Sequence, residues 1–175
     1  VYSLCATSQT TANSSTTDAS FKSSSMPLTP DHDPAKFGVH FHADHPSFAF
    51  ENITARSAWI ERCIAHHDCE LGRINIVAVT DETLHTINIE FLDHDTLTDI
   101  ITFDDVHDKL IGGELYISWD RVLDNAVVFD LDEEDELDRV IIHGVLHLLG
   151  FKDKTEEDAA LMRSKENEWL ALRSA

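Results

Sequence analysis

Two histidines spaced four residues apart, His143 and His147, are the residues whose type and spacing most directly suggest chemistry. Positions i and i+4 of an α-helix lie on one face, one turn apart, so both imidazole rings can reach a single metal ion. Zinc is commonly bound by nitrogen ligands presented in this way. Two core histidines on a helix have the same spacing, so the pair alone does not identify a metal site.

The residues that follow the pair offer a third ligand. Gly150 can end the helix, and Asp153 follows within the turn that this glycine allows. Lys152 and Lys154 cannot bind a metal while protonated, which leaves Asp153 or the more distant Asp158. Two histidines and one carboxylate form an established catalytic zinc set whose fourth position holds water. Because zinc lowers the pKa of that water to about 7, metal-bound water is the expected nucleophile.

A zinc peptidase is the first alternative. Helical peptidase sites carry HExxH, in which the glutamate is the general base. Gly144 occupies the position of that glutamate in this chain and supplies no base. The pattern therefore favours hydrolysis of a different substrate, or a base that the substrate itself contributes.

The elements that must position these residues follow the order βαβαββααα from Phe37 onward, which predicts an α+β fold with helices around a small sheet. The residues predicted to cap the helices at their N-termini are Asn52, Thr80, Asp132 and Thr155. The segment SFAF, residues 47–50, is a candidate for a short extra strand. Thr98 and Asp99 are interpreted as a turn into a strand rather than as catalytic residues.

Composition limits the remaining possibilities. The 175 residues suit one domain, predicted at 37–175 as a metal-dependent hydrolase. Residues 1–25, with 13 Ser or Thr, predict a disordered tail that could also precede a native start at Met26. The proline-rich residues 26–36 predict a linker.

The net charge of -20 opposes long-range attraction to nucleic acid, so RNA binding would need local cations. No apolar run is long enough to span a bilayer, so no membrane partner is expected.

Four segments of the chain resemble the YbeY family of bacterial endoribonucleases. The first is HGVLHLLGFKDK, which resembles the family's signature helix, HGxLHLxGxxH. Upstream, INIEFLDHDTLTDIITF is similar to the family's helix and TDVLSF-type strand, and GGELYIS is similar to its GDIxIS strand. MRSKENEWL resembles the closing helix, and the resemblance extends from Val39 to Leu172.

The resemblance implies an α+β fold with a small mixed β-sheet of about four strands and a metal site at the end of a late helix. It implies one zinc ion per chain, held by His143, His147 and the residue at position 153. It also implies a cytoplasmic endoribonuclease for single-stranded RNA, acting with the small ribosomal subunit in ribosomal RNA maturation and ribosome quality control. The second alternative is a non-catalytic ribosome-assembly factor with a structural metal.

This chain departs from the family pattern at two places. The family's usual third histidine is replaced by Asp153, an oxygen donor of suitable reach. Leu92 and His94 stand where the family commonly has Arg and Lys, which are thought to hold the RNA backbone. Lys152, Lys154 and Arg163 are the local cations predicted to bind the substrate instead.

Overall fold

The structure is a computed structural model that describes residues 4–6 and 37–174. Its strands are β1 (Leu4–Ala6), β2 (Gly38–Asp44), β3 (Glu70–Val79), β4 (Ile100–Asp104) and β5 (Leu110–Ser118). Its helices are α1 (Ile53–His66), α2 (Asp81–Leu92), α3 (Trp119–Phe129), α4 (Glu133–Leu148) and α5 (Glu156–Ala171). From β2 onward the order is the predicted βαβαββααα, and the α+β prediction is confirmed. Except for β1, the predicted tail and linker lie outside the described residues.

The strands form one mixed sheet in the order β1-β4-β5-β3-β2. Strands β2, β3 and β5 are parallel, whereas β4 runs antiparallel to β5 and parallel to the short β1. The prediction of a small mixed sheet is therefore confirmed, with four strands among residues 37–174 and β1 added at the edge beside β4.

Helices cover the sheet unequally. The main core lies between the sheet and α1, α4 and α5, and includes Trp59, Ile141 and Trp169. A smaller cluster around Leu84 lies under α2, against Ile101. Because alternate residues of a strand point to opposite faces, both faces of the sheet contribute apolar side chains. Burial of this apolar surface is the main favourable term for folding, and it holds α4 firmly against the strands.

The helix starts largely follow the predicted caps. The side chains of Thr80, Asp132 and Thr155 accept hydrogen bonds from the backbone N–H groups of the first turns of α2, α4 and α5. Asn52 is at the predicted N-cap position of α1, but the prediction that its side chain caps the helix is wrong. Asn52 precedes α1 but has a left-handed backbone with φ of 51°, and its side chain makes no cap hydrogen bond.

The predicted strand at residues 47–50 is also wrong. This segment is a loop, and the sheet neighbour of β2 is β3. The ring of Phe48 packs 4.2 Å from that of Trp119, and Phe50 packs 5.1 Å from Phe41. These residues are apolar because they close one end of the core, not because they belong to a strand.

Candidate metal centre

Helix α4 carries both histidines, and its local sequence explains where it begins and which face it buries. Asp132 caps its start, and the acidic first turn suits the positive end of the helix dipole. The helix is buried along most of its length, including Leu137 and Ile141. His143 and His147 follow one turn apart near its C-terminal end, with ring centroids 4.5 Å apart.

Gly144 lies where the helix comes closest to the sheet. A Cβ atom at this position would be 2.5 Å from Leu115 Cδ2 and 2.7 Å from Ile100 Cδ1. A glutamate here would have no room, so the general base of the HExxH arrangement is excluded at this position. Close packing on β4 and β5 thus accounts for the glycine in the sequence HGVLH.

The helix ends in a Schellman motif that turns the chain back toward the histidines. The N–H of Gly150 donates to the carbonyl of His147 at 2.9 Å, and that of Phe151 donates to Leu146 at 3.0 Å. Gly150 has a left-handed backbone with φ of 92°, which glycine adopts without a steric penalty. The reversal brings Asp153 to the histidine face.

Three donor atoms converge at this point. The Nε2 atoms of His143 and His147 are 3.0 Å apart, and Asp153 Oδ2 lies 3.7 Å and 3.6 Å from them, respectively. Among the described residues, these three form the one group of His, Cys, Asp or Glu side chains close enough to share a metal ion. Asp158 is not part of this group. It lies in the first turn of α5, where its backbone N–H donates a hydrogen bond to Thr155 Oγ1.

Hydrogen bonds at the far nitrogens orient both rings. His147 Nδ1 donates to the carbonyl oxygen of Phe151 at 2.9 Å, because a carbonyl can only accept. His143 Nδ1 lies 2.7 Å from Glu166 Oε1, an acceptor when ionised. With both Nδ1 atoms protonated, two Nε2 lone pairs and the carboxylate of Asp153 face one another. Such a set repels itself without a cation, so the donors fit a divalent metal ion.

Electrostatics support this protonation pattern. Burial lowers the pKa of His147, and the nearby His143 lowers it further. Burial opposes ionisation of Glu166, but the hydrogen bond from His143 and the charges of Arg163 and Arg139 outweigh it, and its pKa is lowered. A neutral His147 ring, which can bind a metal, and an ionised Glu166, which can accept the hydrogen bond from His143, are therefore both favoured.

A cleft of about 100 Å³ opens beside the ligand set. Phe129, Val140 and Met162 give it apolar walls. Its charged or titratable lining residues are Asp99, Glu136, Arg139, His143, Asp153, Arg163 and Glu166. The cleft offers space for part of a substrate next to His143, with both cations and carboxylates along its wall.

The predicted substrate-binding residues are not all in this cleft. Arg163 lines it and pairs with Glu166 at 3.0 Å. Lys152 and Lys154 are exposed on the loop to either side of Asp153 and do not line the cleft. Their role in substrate binding stays a prediction.

Glu166, Glu136 and Asp99 line the cleft, but the sequence did not point to a role for any of them. Glu166 had a detectable signal, since it lies on the same helical stripe as the apolar Met162 and Trp169. A glutamate at such a position must be buried and paired, and here it is 3% exposed. Asp99 follows the predicted turn into β4, but only the folded chain places it beside α4.

Glu166→Gln is expected to weaken metal binding about tenfold to a hundredfold, because outer partners of this kind orient and polarise a ligating histidine. Metal affinity, measured by competition with a chromogenic chelator, tests this. The matched control is Glu168→Gln on the same helix, whose carboxylate is half-exposed and pairs with Lys165 at 2.8 Å. Equal affinities in the two variants would contradict the role given to Glu166.

Gly150→Ala is expected to lower both stability and metal affinity. The site has space for a methyl group, but the left-handed backbone costs a non-glycine residue about 1–2 kcal/mol. Relaxation of that strain would move the loop that carries Asp153. Thermal unfolding and chelator competition measure the two effects, and wild-type metal affinity in this variant would refute the dependence of Asp153 on the turn.

The α+β fold and the site together define a class: a small domain whose late helix presents two histidines that, with one carboxylate, could hold a metal ion. A family model described as Endoribonuclease YbeY matches residues 44–173. The chain belongs to the YbeY family, as the resemblance in its motifs predicted.

Two relatives agree with this assignment, and a solved structure has a similar fold. Endoribonuclease YbeY of Flavobacterium johnsoniae is 46% identical over 125 residues, which cover 71% of this chain and 90% of that protein. The corresponding protein of Christiangramia forsetii is 49% identical over 114 residues, covering 65% and 80%. The solution structure of TM1509 from Thermotoga maritima has a similar fold, with a TM-score of 0.53 and 24% identity over 77% of this chain and 88% of that one.

Within the part of the chain that the structure describes, none of the helices combines the length and the apolar character needed to cross a bilayer.

Proposed function

We propose that this protein is a zinc-dependent endoribonuclease that cleaves single-stranded RNA, and that it acts on small-subunit ribosomal RNA in the cytoplasm during ribosome maturation and quality control. The observation that carries the proposal is the convergence of His143, His147 and Asp153 in a chain of the YbeY family. The name of its relatives supports RNA as the substrate, while the ribosomal role rests on the family resemblance.

His143 and His147 would bind the metal through Nε2, and Asp153 would bind it through Oδ2. A zinc ion held there would act as a Lewis acid and make water a stronger nucleophile at neutral pH. Glu166 keeps the ring of His143 in place through its hydrogen bond to Nδ1. Arg163, whose side chain is 53% exposed, can bind an RNA phosphate at the mouth of the cleft while still close to Glu166.

RNA binding by this acidic chain would depend on few cations. Arg139 and Arg163 line the cleft, whereas Leu92, which replaces the family's Arg, packs against the smaller apolar cluster. Because each phosphate contact releases counterions, few contacts imply a weak salt dependence of binding. The proposal therefore favours local recognition of a short single-stranded segment over a long phosphate-binding groove.

The two alternatives fit the site less well. A structural zinc normally has four protein ligands, whereas the group among the described residues has three. This difference favours a catalytic metal over a structural metal in an assembly factor. A peptidase of the HExxH type is excluded because the sheet leaves no room for a glutamate at Gly144, so a peptidase would need a base from elsewhere.

The test is cleavage of a single-stranded precursor of the small-subunit ribosomal RNA by purified protein, with and without a chelator. We expect the wild type and His107→Ala to cleave, and His143→Ala and the chelated protein to be inactive. His107 is a suitable control because its side chain is 77% exposed and lies outside the cleft. Cleavage by His143→Ala at the wild-type rate would refute the proposal. A stoichiometric metal without any cleavage would favour the assembly factor.

A further inference from the structure

Asp99 has a buried carboxylate with an unused hydrogen-bond acceptor. The residue is 6% exposed and sits at the bend that leads into β4. Its Oδ2 accepts a hydrogen bond from Asn125 Nδ2 at 3.3 Å. Its Oδ1 is buried and has no partner in hydrogen-bond geometry among the described residues. Leaving a buried acceptor unpaired is costly, so such an atom in a native protein calls for an explanation, of which a bound water, ion or ligand is one kind.

The position of Asp99 shows where that ligand would lie. Asp99 lines the cleft that also contains His143, so a ligand of its side chain would lie next to the candidate metal ligands. Glu136 lines the same cleft and also has an unpaired oxygen, but Arg139 Nε lies 3.7 Å from that atom. Among the described residues, no cation forms an ion pair with Asp99.

The chemistry of the cleft selects a hydroxyl group as the ligand. A phosphate would be repelled by Asp99 and Glu136, and Arg163 and the metal site offer it better partners. The ribose 2′-hydroxyl is the hydrogen-bond donor closest to an RNA phosphate, and DNA lacks it. A carboxylate oxygen is an acceptor of matching chemistry.

We propose that the cleft is a ribonucleotide subsite in which Asp99 Oδ1 accepts a hydrogen bond from the 2′-hydroxyl of the nucleotide at the metal centre. The inference rests on the proposed function and adds to it a residue that distinguishes RNA from DNA. Asp99 acts in it as a substrate-binding residue, and the interaction makes and breaks no covalent bond.

Binding of mononucleotides to the zinc-loaded full chain tests the subsite without cleavage, because a nucleoside 3′-monophosphate keeps the 2′-hydroxyl beside the phosphate and has no internucleotide bond. We expect ribonucleotides to bind about tenfold more tightly than their 2′-deoxy counterparts, as for one hydrogen bond whose loss leaves a buried acceptor unpaired. A 2′-fluoro nucleotide accepts but cannot donate a hydrogen bond, so it should bind as weakly as the deoxy form. If the wild type binds the three forms equally, or discriminates by base rather than by sugar, the proposal is overturned.

Variants assign the effect to Asp99. In Asp99→Ala the preference for the ribose form should fall to about one, and Asp99→Asn, which preserves the shape, should give an intermediate value. The control is Asp104→Asn at the end of β4, whose Oδ1 is also buried and unpaired but which lies outside the cleft. A full ribose preference in both Asp99 variants would refute the assignment. If Asp99→Ala does not fold, Asp99→Asn and the wild-type comparison with the 2′-fluoro nucleotide still test whether the subsite needs a hydrogen-bond donor at the 2′ position.

Cleavage of single-stranded RNA by the same preparations separates this inference from the proposed function. Chelator-sensitive cleavage without ribose preference would overturn the subsite and leave the nuclease. Ribose preference that depends on Asp99, without cleavage, would support the subsite and refute the nuclease.

Discussion

Asp153→Ala is expected to remove most of the bound metal, because it leaves only His143 and His147 as protein ligands. Two side chains seldom retain zinc, and the carboxylate lies 3.6–3.7 Å from both Nε2 atoms, where one ion can contact all three donors. Asp153→His should retain the metal, because it restores the ligand set common in the family. The measurement is metal content per chain after dialysis, by atomic emission.

Asp158→Ala is the matched control for the Asp153 series. Asp158 is the other carboxylate that the sequence offered, but its place is in the first turn of α5. It should therefore keep a full complement of metal, with a small loss of stability from the weaker first turn. If Asp153→Ala retains stoichiometric metal and Asp158→Ala loses it, the third ligand has been assigned wrongly.

Arg56→Met is expected to destabilise the fold by about 3–5 kcal/mol, the usual cost of removing one partner of a buried ion pair. Arg56 is 5% exposed, and its Nε donates to Asp138 Oδ1 at 2.6 Å. It also donates to the side chain of Glu134 and to the carbonyl of Glu51. The substitution leaves Asp138, which is 2% exposed, with Arg173 as its remaining partner.

The effect of Arg56→Met should appear in chemical denaturation as a lower midpoint with an unchanged slope. Arg62→Met is the control on the same helix, because Arg62 is exposed and makes one hydrogen bond of 3.2 Å to Leu172. Its cost should stay within about 0.5 kcal/mol. Similar midpoints for the two variants would show that the buried network contributes little. Since Asp138 lies on α4, five residues before His143, the Arg56 variant should also bind metal less tightly.

The sequence by itself determined the features that depend on short-range geometry. The spacing of His143 and His147 places both rings on one helix face, and Gly150 marks the turn that returns Asp153 to them. The α+β class, the order of elements and the caps at Thr80 and Asp132 could be predicted for the same reason. Each depends on residues within a few positions of one another, where backbone sterics and local hydrogen bonds act.

Only the tertiary structure decided which distant groups complete the site. Glu166 is 23 residues from His143, and their 2.7 Å contact exists because α5 packs against α4. Asp99 reaches the cleft because β4, which it precedes, packs against α4. The polar residues around Asp99 in the sequence do not indicate this position. The tertiary structure also places Asp153, and not Asp158, beside the two histidines, and it makes residues 47–50 a loop rather than a strand. Long-range packing outweighs local preference at these positions because the burial of one element depends on the surfaces of the others.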